Sequence, residues 1–325
     1  MAKLKRVQMT SKKYLVTGSA GFIGSNLART LCENGNSVVG IDSFHGYYSR
    51  AFKESNLARL ANSSIFEFKE LDILDLENSD IENDFDCIFH LAAQPGVRDS
   101  WGLGFDSYAK NNVLGTQKVF EFAASNNIKR VVFSSSSSIY GDAETFPTSE
   151  SANPKPRSPY GVSKLTGEYL GAAYSRNFGL EVVALRYFTV YGPGQRPDMA
   201  IHRLINCALT GEKFPKFGTG EQIRDFTFVN DVVSANILAS SALLPTPSIA
   251  INVGGGNSTS LNFLISGIES ISGRPIQIDQ GGVPLGDVIR TGADTNRAKE
   301  LLGWHPQTGI EAGLKLQYEW QLENS

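Results

Sequence analysis

Six short apolar runs, at 14–17, 37–41, 65–68, 87–91, 131–134 and 181–185, alternate with stretches of helical periodicity over the first three-fifths of the chain. Near-continuous hydrophobicity suits strands covered on both faces, and alternation with helices implies a doubly wound parallel sheet. Helices are predicted near 22–34, 113–125 and 160–178, and the run at 249–253 predicts a late strand returning to the same sheet. Segment 193–224 and the region after Gly254 fall outside this alternation. The expectation is an α/β chain with a Rossmann-type sheet domain over 11–188 plus about 226–254. A smaller lobe, over about 189–225 plus 255–325, would be interleaved with it, and residues 1–10 would be a tail.

The first run leads straight into Gly18-Ser-Ala-Gly21-Phe22-Ile23-Gly24 and then a helix. Glycines let the backbone turn tightly and approach a pyrophosphate, while the helix N-terminus offers free N–H groups and a favourable dipole. The second run ends at Asp42, eighteen residues past Gly24, near the ~20 expected of a ribose-binding acid. Asp42 can accept from both adenosine ribose hydroxyls and would repel a 2′-phosphate, which predicts NAD over NADP.

Tyr160 and Lys164 stand four residues apart, downstream of a serine run that includes Ser136, Ser137 and Ser138. Residues i and i+4 share a helix face, so the ammonium can sit beside the phenol. A free phenol has a pKa of about 10, and lowering it by ~3 units takes ~4 kcal/mol of differential stabilisation. A nearby cation can supply much of that and make tyrosine a base near neutral pH. With a dinucleotide loop upstream, the pair describes removal of a proton and a hydride from one alcohol carbon.

Charged residues make up 19% of the chain and the formal net charge is −3, so no global field favours nucleic acid or a membrane surface. Lys3, Lys5, Arg6, Lys12 and Lys13 read as a solvated tail flanking the first strand. Cys32, Cys87 and Cys207 are odd in number and widely spaced, with no disulfide framework or zinc pattern. No apolar stretch approaches membrane-spanning length and no leader segment is evident, so a reducing, cytoplasmic setting is expected. His45, His202 and His305 show no metal spacing, and His90 reads as a strand-end packing residue.

The chain resembles the extended short-chain dehydrogenase/reductases of the nucleotide-sugar epimerase/dehydratase kind. The resemblance rests on 17–24, His90-Leu91-Ala92-Ala93, Asn112-Val-Leu-Gly-Thr116, the serine-rich 133–141 and Ser158-Pro-Tyr-Gly-Val-Ser-Lys164. It continues through 186–193, Gln222-Ile-Arg-Asp-Phe226 and Gly286-Asp287. It implies bound NAD, a UDP-sugar substrate and a homodimer formed through a four-helix bundle. By resemblance Ser136 is the catalytic hydroxyl, Tyr160 the base, and Lys164 also holds the nicotinamide ribose. Asp72 and Ile73 match adenine-contacting positions, Tyr187 matches the nicotinamide pocket, and Leu91, Ala92, Ala93 and Asn112 fall among the cofactor-binding positions.

Three segments are most like UDP-glucuronate 4-epimerases: Ser43-Phe-His-Gly-Tyr-Tyr-Ser-Arg-Ala-Phe-Lys53, Pro95-Gly-Val-Arg98, and 188–199. In the last, Thr189 stands where most relatives carry Asn. Related 4,6-dehydratases place an Asp-Glu pair just after the catalytic hydroxyl, and related decarboxylases a Glu at the second position. Ser137 and Ser138 occupy those positions here, and neither can act as acid or base near neutral pH. Small hydroxyls can instead donate to a sugar carboxylate, as Thr189 can. The expectation is C4 epimerisation of UDP-glucuronate to UDP-galacturonate through a 4-keto sugar, without decarboxylation. For the nucleotide end the candidates are Arg98, Arg196, Arg224 and Arg290, because arginine matches phosphate oxygens bidentately. Rival readings are a 4-epimerase of neutral UDP-hexoses, a UDP-glucuronate decarboxylase and a non-catalytic sensor.

Overall fold

The first strand of the computed structural model lies inside its main sheet, beside the point where the order of strands reverses. The structure describes residues 11–282 and 288–324. In chain order its strands are β1 Lys13–Thr17, β2 Ser37–Asp42, β3 Phe66–Glu70, β4 Cys87–His90, β5 Arg130–Ser136 and β6 Glu181–Tyr187. They continue as β7 Thr189–Tyr191, β8 Phe214–Phe217, β9 Ile223–Phe228, β10 Ser248–Val253, β11 Asn257–Ser260 and β12 Ile278–Gly281. The helices are α1 Phe22–Glu33, α2 Arg50–Ala58, α3 Phe105–Tyr108, α4 Gly115–Ser125 and α5 Pro159–Phe178. The remainder are α6 Ala200–Thr210, α7 Val229–Ala239, α8 Leu261–Ser272, α9 Asn296–Leu302 and α10 Ile310–Glu323.

Seven strands form one sheet in the order β10-β6-β5-β4-β1-β2-β3, and every pairing in it is parallel. Successive side chains of a strand point to opposite faces, so each strand feeds two cores. Leu15, Ile41, Ile88, Val131 and Phe133 pack with Phe120 of α4 and Tyr174 of α5. Val16, Val38, Phe89, Val132 and Val183 pack on the other face with Leu27 and Leu31 of α1 and Val232 of α7. That double burial is why these strands read as unbroken apolar runs.

β5 and β6 extend further than their apolar runs, to Ser136 and Tyr187. The extra residues are polar because the carboxyl ends of the strands face the crevice at the switch point between β1 and β4. α5 starts where the chemistry needs it: the Ser158 hydroxyl accepts from Gly161 N–H at 3.1 Å, and Pro159 occupies the first turn. Gly179, at φ 71°, ends the helix.

β11-β9-β7 form a three-stranded sheet and β12-β8 a two-stranded one. Ile201, Leu204 and Ile205 of α6, Leu264 and Ile268 of α8, Leu314 of α10 and Phe226 and Phe228 of β9 form a third core. One segment departs from the sequence reading, which put all of 255–325 in the smaller lobe. Ala298 and Leu302 of α9 and Trp304 belong to the core of the main sheet. The Trp304 indole N–H lies 2.9 Å from both Asp231 O and Ser234 Oγ of α7, which fixes α9 against that helix. Residues 1–10, with Lys3, Lys5 and Arg6, and the Gly286-Asp287 motif lie outside the described residues. Among the described residues no helix is long and apolar enough to cross a membrane.

Candidate active site

A cleft of ≈ 370 Å³ opens at the carboxyl ends of the main strands, within the size range of small-molecule sites. One wall is the turn from β1 to α1. Gly18 adopts φ 72°, and a Cβ on Gly24 would come within 2.1 Å of Gly18 O. The loop therefore closes against the helix only because side chains are absent. Gly21 caps α1 without any side-chain bond, leaving the first N–H groups of the helix for an anion. Phe22 and Ile23 line the cleft beside the three glycines.

Asp42, Asp72 and Ile73 line the end of the cleft next to this turn. Asp42 Oδ1 accepts from Phe44 N–H at 2.8 Å and pairs with Lys53 Nζ at 3.1 Å. Asp72 is held by Leu74 N–H at 3.0 Å. Leu91, Ala92 and Ala93 form the adjoining wall. The Thr17 hydroxyl accepts from Leu91 N–H at 3.2 Å and Ala92 N–H at 3.1 Å. With two donors on its oxygen, its own proton goes to His90 Nδ1 at 2.8 Å, and Nε2–H then faces Thr116 Oγ1 at 3.0 Å. Burial pulls the His90 pKa down to about 3, so this imidazole is neutral and places the wall rather than moving protons. A glycine cradle, a free helix N-terminus and an acid at the end of β2 fit a dinucleotide.

Ser136, Ser137, Ser138, Tyr160, Lys164, Tyr187, Thr189 and Arg196 line the rest of the cleft. Burial pushes the Tyr160 phenol above its ordinary pKa, opposed by a hydrogen bond from Ser136 and by the charge of Arg196. The four-residue spacing predicted that Lys164 would lower it. Lys164 shares the helix face, yet its Nζ donates to Ser134 O at 2.7 Å, and burial drags its own pKa down to about 7. The long side chain is engaged by a carbonyl of β5, two positions before Ser136. Tyr187 donates to Asn236 Oδ1 at 2.9 Å, which fixes its ring at the end of β6. Arg196 is clamped by both Asp198 oxygens at 2.9 Å.

Four of the expected residues stand away from this lining. Asn112 turns its amide to the Gln94 backbone, accepting from its N–H at 2.7 Å and donating to its carbonyl at 3.0 Å. It shapes the 94–97 wall from behind, in a π-helical turn over Ala109–Leu114. Arg98 lies over the Phe217 ring at 4.6 Å and Arg290 over Phe146 at 4.9 Å. Arg224 Nη1 donates to Ile223 O at 3.0 Å, and Ile223 bridges to Arg290, so Arg224 and Arg290 sit on adjoining backbone. In return, His45, Tyr47, Tyr48, Lys53, Gln94 and Met199 line the cleft without having been singled out. For the first four the signal was the aromatic-rich loop 43–53, which the resemblance marked without assigning any of its side chains. Gln94 lies between the matched segments 90–93 and 95–98, and Met199 ends the matched segment 188–199.

A family model described as the NAD dependent epimerase/dehydratase family matches residues 14–254. A UDP-glucuronate 4-epimerase from Thermodesulfobacterium geofontis is 36% identical over 318 residues, covering 96% of this chain and 96% of that one. An uncharacterized UDP-glucose epimerase from Bacillus subtilis is 42% identical over 306 residues, covering 93% and 95%. The crystal structure of the Bacillus cereus UDP-glucuronic acid 4-epimerase with UDP-glucuronic acid and NAD superposes with a TM-score of 0.91. The two are 40% identical, with 96% of this chain and 100% of that one covered. The chain belongs to the NAD dependent epimerase/dehydratase family.

Proposed function

We propose that this member of the NAD dependent epimerase/dehydratase family inverts C4 of UDP-glucuronate to give UDP-galacturonate, without loss of the carboxylate. One observation carries the choice of reaction. The hydroxyls of Ser136, Ser137, Ser138 and Thr189 line one cleft with Tyr160, and among the described residues the carboxylates lining it are Asp42 and Asp72, beside the glycine turn. Elimination of water from the sugar would need an acid or base next to Ser136, where this chain has serines.

The glycine turn and the 91–93 wall would hold NAD, which when bound would supply a hydride acceptor and donor for C4. Tyr160, as phenolate, takes the C4 hydroxyl proton and later returns it. Ser136 hydrogen-bonds the same oxygen and offsets charge as the ketone forms. The 4-keto sugar would turn over about its bond to the diphosphate, presenting the opposite face of C4 for reduction. That ketone is a β-keto acid, and loss of carbon dioxide needs the C5–C6 bond aligned with the carbonyl π system. Ser137, Ser138 and Thr189 hold the carboxylate out of that alignment. Arg196 serves the diphosphate side, with Arg224 the next candidate. The best-supported binding set is Gly18, Gly21, Gly24, Asp42, Asp72, Tyr187 and Lys164 for the cofactor.

The names of relatives support the reading but divide over the sugar, since UDP-glucuronate 4-epimerases and a UDP-glucose epimerase both match. Incubating pure protein with UDP-glucuronate and following products by chromatography and NMR tests it. UDP-galacturonate without carbon dioxide or a pentose product is expected. Turnover of UDP-glucose with no reaction of the uronate would replace the uronate reading with a neutral hexose. Thr189→Ala is expected to raise KM for the uronate about tenfold, the order of one charge-assisted hydrogen bond, and to release some carbon dioxide.

A further inference from the structure

We propose that the adenosine ribose is read by the Asp42–Lys53 ion pair rather than by the carboxylate alone, so that Lys53 is a second residue determining cofactor choice. This rests on the cleft holding a dinucleotide. Lys53, in the first turn of α2, is 7% exposed and Asp42 is 8% exposed. Their Nζ and Oδ1 atoms are 3.1 Å apart, and both residues line the cleft beside Gly18 and Gly21. The Tyr48 ring covers the ammonium at 5.2 Å. Arg50, the other cation at the start of α2, is bound by Glu54 and Glu70 and is half-exposed, so Lys53 is the cation that Asp42 meets.

Both Asp42 contacts use Oδ1. Oδ2 makes no hydrogen bond among the described residues, and it is the oxygen left for a ribose hydroxyl to donate to. The ammonium has three donors and spends one on Asp42, so it can donate to the oxygen of the same diol. Charge explains the selectivity. Paired with Asp42, the ammonium offers no net field to a 2′-phosphate, which would instead meet the carboxylate. Take away the carboxylate charge and a buried, uncompensated cation remains, beside the position where an arginine takes the 2′-phosphate in NADP-binding relatives of this fold. Asp42→Asn is suited to that change. Phe44 sits at φ 49° with its N–H on Asp42 Oδ1, and asparagine keeps an acceptor there.

The full-length protein and its variants are dialysed against equimolar NAD and NADP until the retained ratio is constant, then freed of unbound nucleotide by gel filtration. The retained dinucleotides are released by denaturation and separated by ion exchange, with no sugar present. Wild type is expected to retain NAD. Lys53→Met should retain about tenfold less, still as NAD, the order of one lost hydrogen bond to a charged group. Asp42→Asn should swing the ratio toward NADP by about tenfold or more, and Asp42→Asn/Lys53→Met should cancel most of that swing. Asp42→Ser gives the same reading if the asparagine variant does not fold. An Asp42 variant with the wild-type ratio, or a double variant that keeps the single variant's ratio, overturns the role of Lys53 while leaving the NAD site intact. Wild type that retains neither nucleotide overturns both.

Discussion

Lys164 is the residue whose surroundings differ most from what its spacing suggests. It is 3% exposed, and burial pulls its pKa from the usual amine range to about 7. Below pH 7 the ammonium is charged in folded and unfolded chains alike, and the folded state carries the full cost of burying it. Between pH 7 and about 10 the unfolded chain still binds a proton that the folded chain has released, so stability rises with pH. The melting temperature of cofactor-free protein should therefore climb from pH 7 to about 9, and that of Lys164→Met should climb less. Equal slopes in differential scanning fluorimetry would place the ammonium in water. The upward shift of Tyr160 works the other way, but only above the ordinary phenol range near 10, outside that window. Tyr160 then needs help to ionise, and its two sources in this structure are the Ser136 hydroxyl and the Arg196 charge.

Among the elements, the β1–α1 turn leaves no room for an added atom at its third glycine. A methyl group on Gly24 would lie 2.1 Å from Gly18 O and 3.0 Å from Ser19 Cα, both backbone neighbours that cannot swing away. Gly24→Ala is expected to lift α1 off the loop, costing about 2 kcal/mol of stability as an overpacked contact does. Retained NAD should fall about tenfold with it, because the free N–H groups leave their positions. Chromatography of released nucleotide and chemical denaturation measure the two effects. Normal NAD content with an unchanged denaturation midpoint would show that the turn has slack. The start of α5 fell within one residue of the expected 160, and Ser158 and Pro159 fix it, since a capping hydroxyl and a first-turn proline act within four residues of sequence. The ends of β5 and β6 were not, because Ser135, Ser136 and Tyr187 are polar residues in strand conformation. Their partners lie elsewhere: Ser135 donates to Glu168 at 2.5 Å and Tyr187 to Asn236.

For the whole molecule, the remaining question is how copies assemble. Leu114 just before α4 and Val162 and Tyr169 on α5 are 48%, 47% and 66% exposed, an unusual cost for helices that already bury their other faces. We propose that these faces pair two copies as a four-helix bundle. Tyr169→Glu should then elute at half the native mass in light scattering while keeping its helical circular dichroism. A variant of unchanged mass would place the interface elsewhere.

Order along the chain determined the doubly wound sheet, the glycine turn, the helix bearing Tyr160 and Lys164, and the composition of the serine shelf. Those features depend on periodicity, caps and turn chemistry acting over a few residues, which sequence displays directly. Tertiary structure alone decided that Lys164 donates to Ser134 O, thirty residues away, and that Asn112 braces Gln94 instead of lining the cleft. It also decided that Lys53 neutralises Asp42 and that α9 and Trp304 join the main core instead of the smaller lobe. Each of these is a choice of partner for a side chain that can reach several. Such choices follow from which elements the sheet order brings together, and from the cost of burying a charge or a donor without a mate.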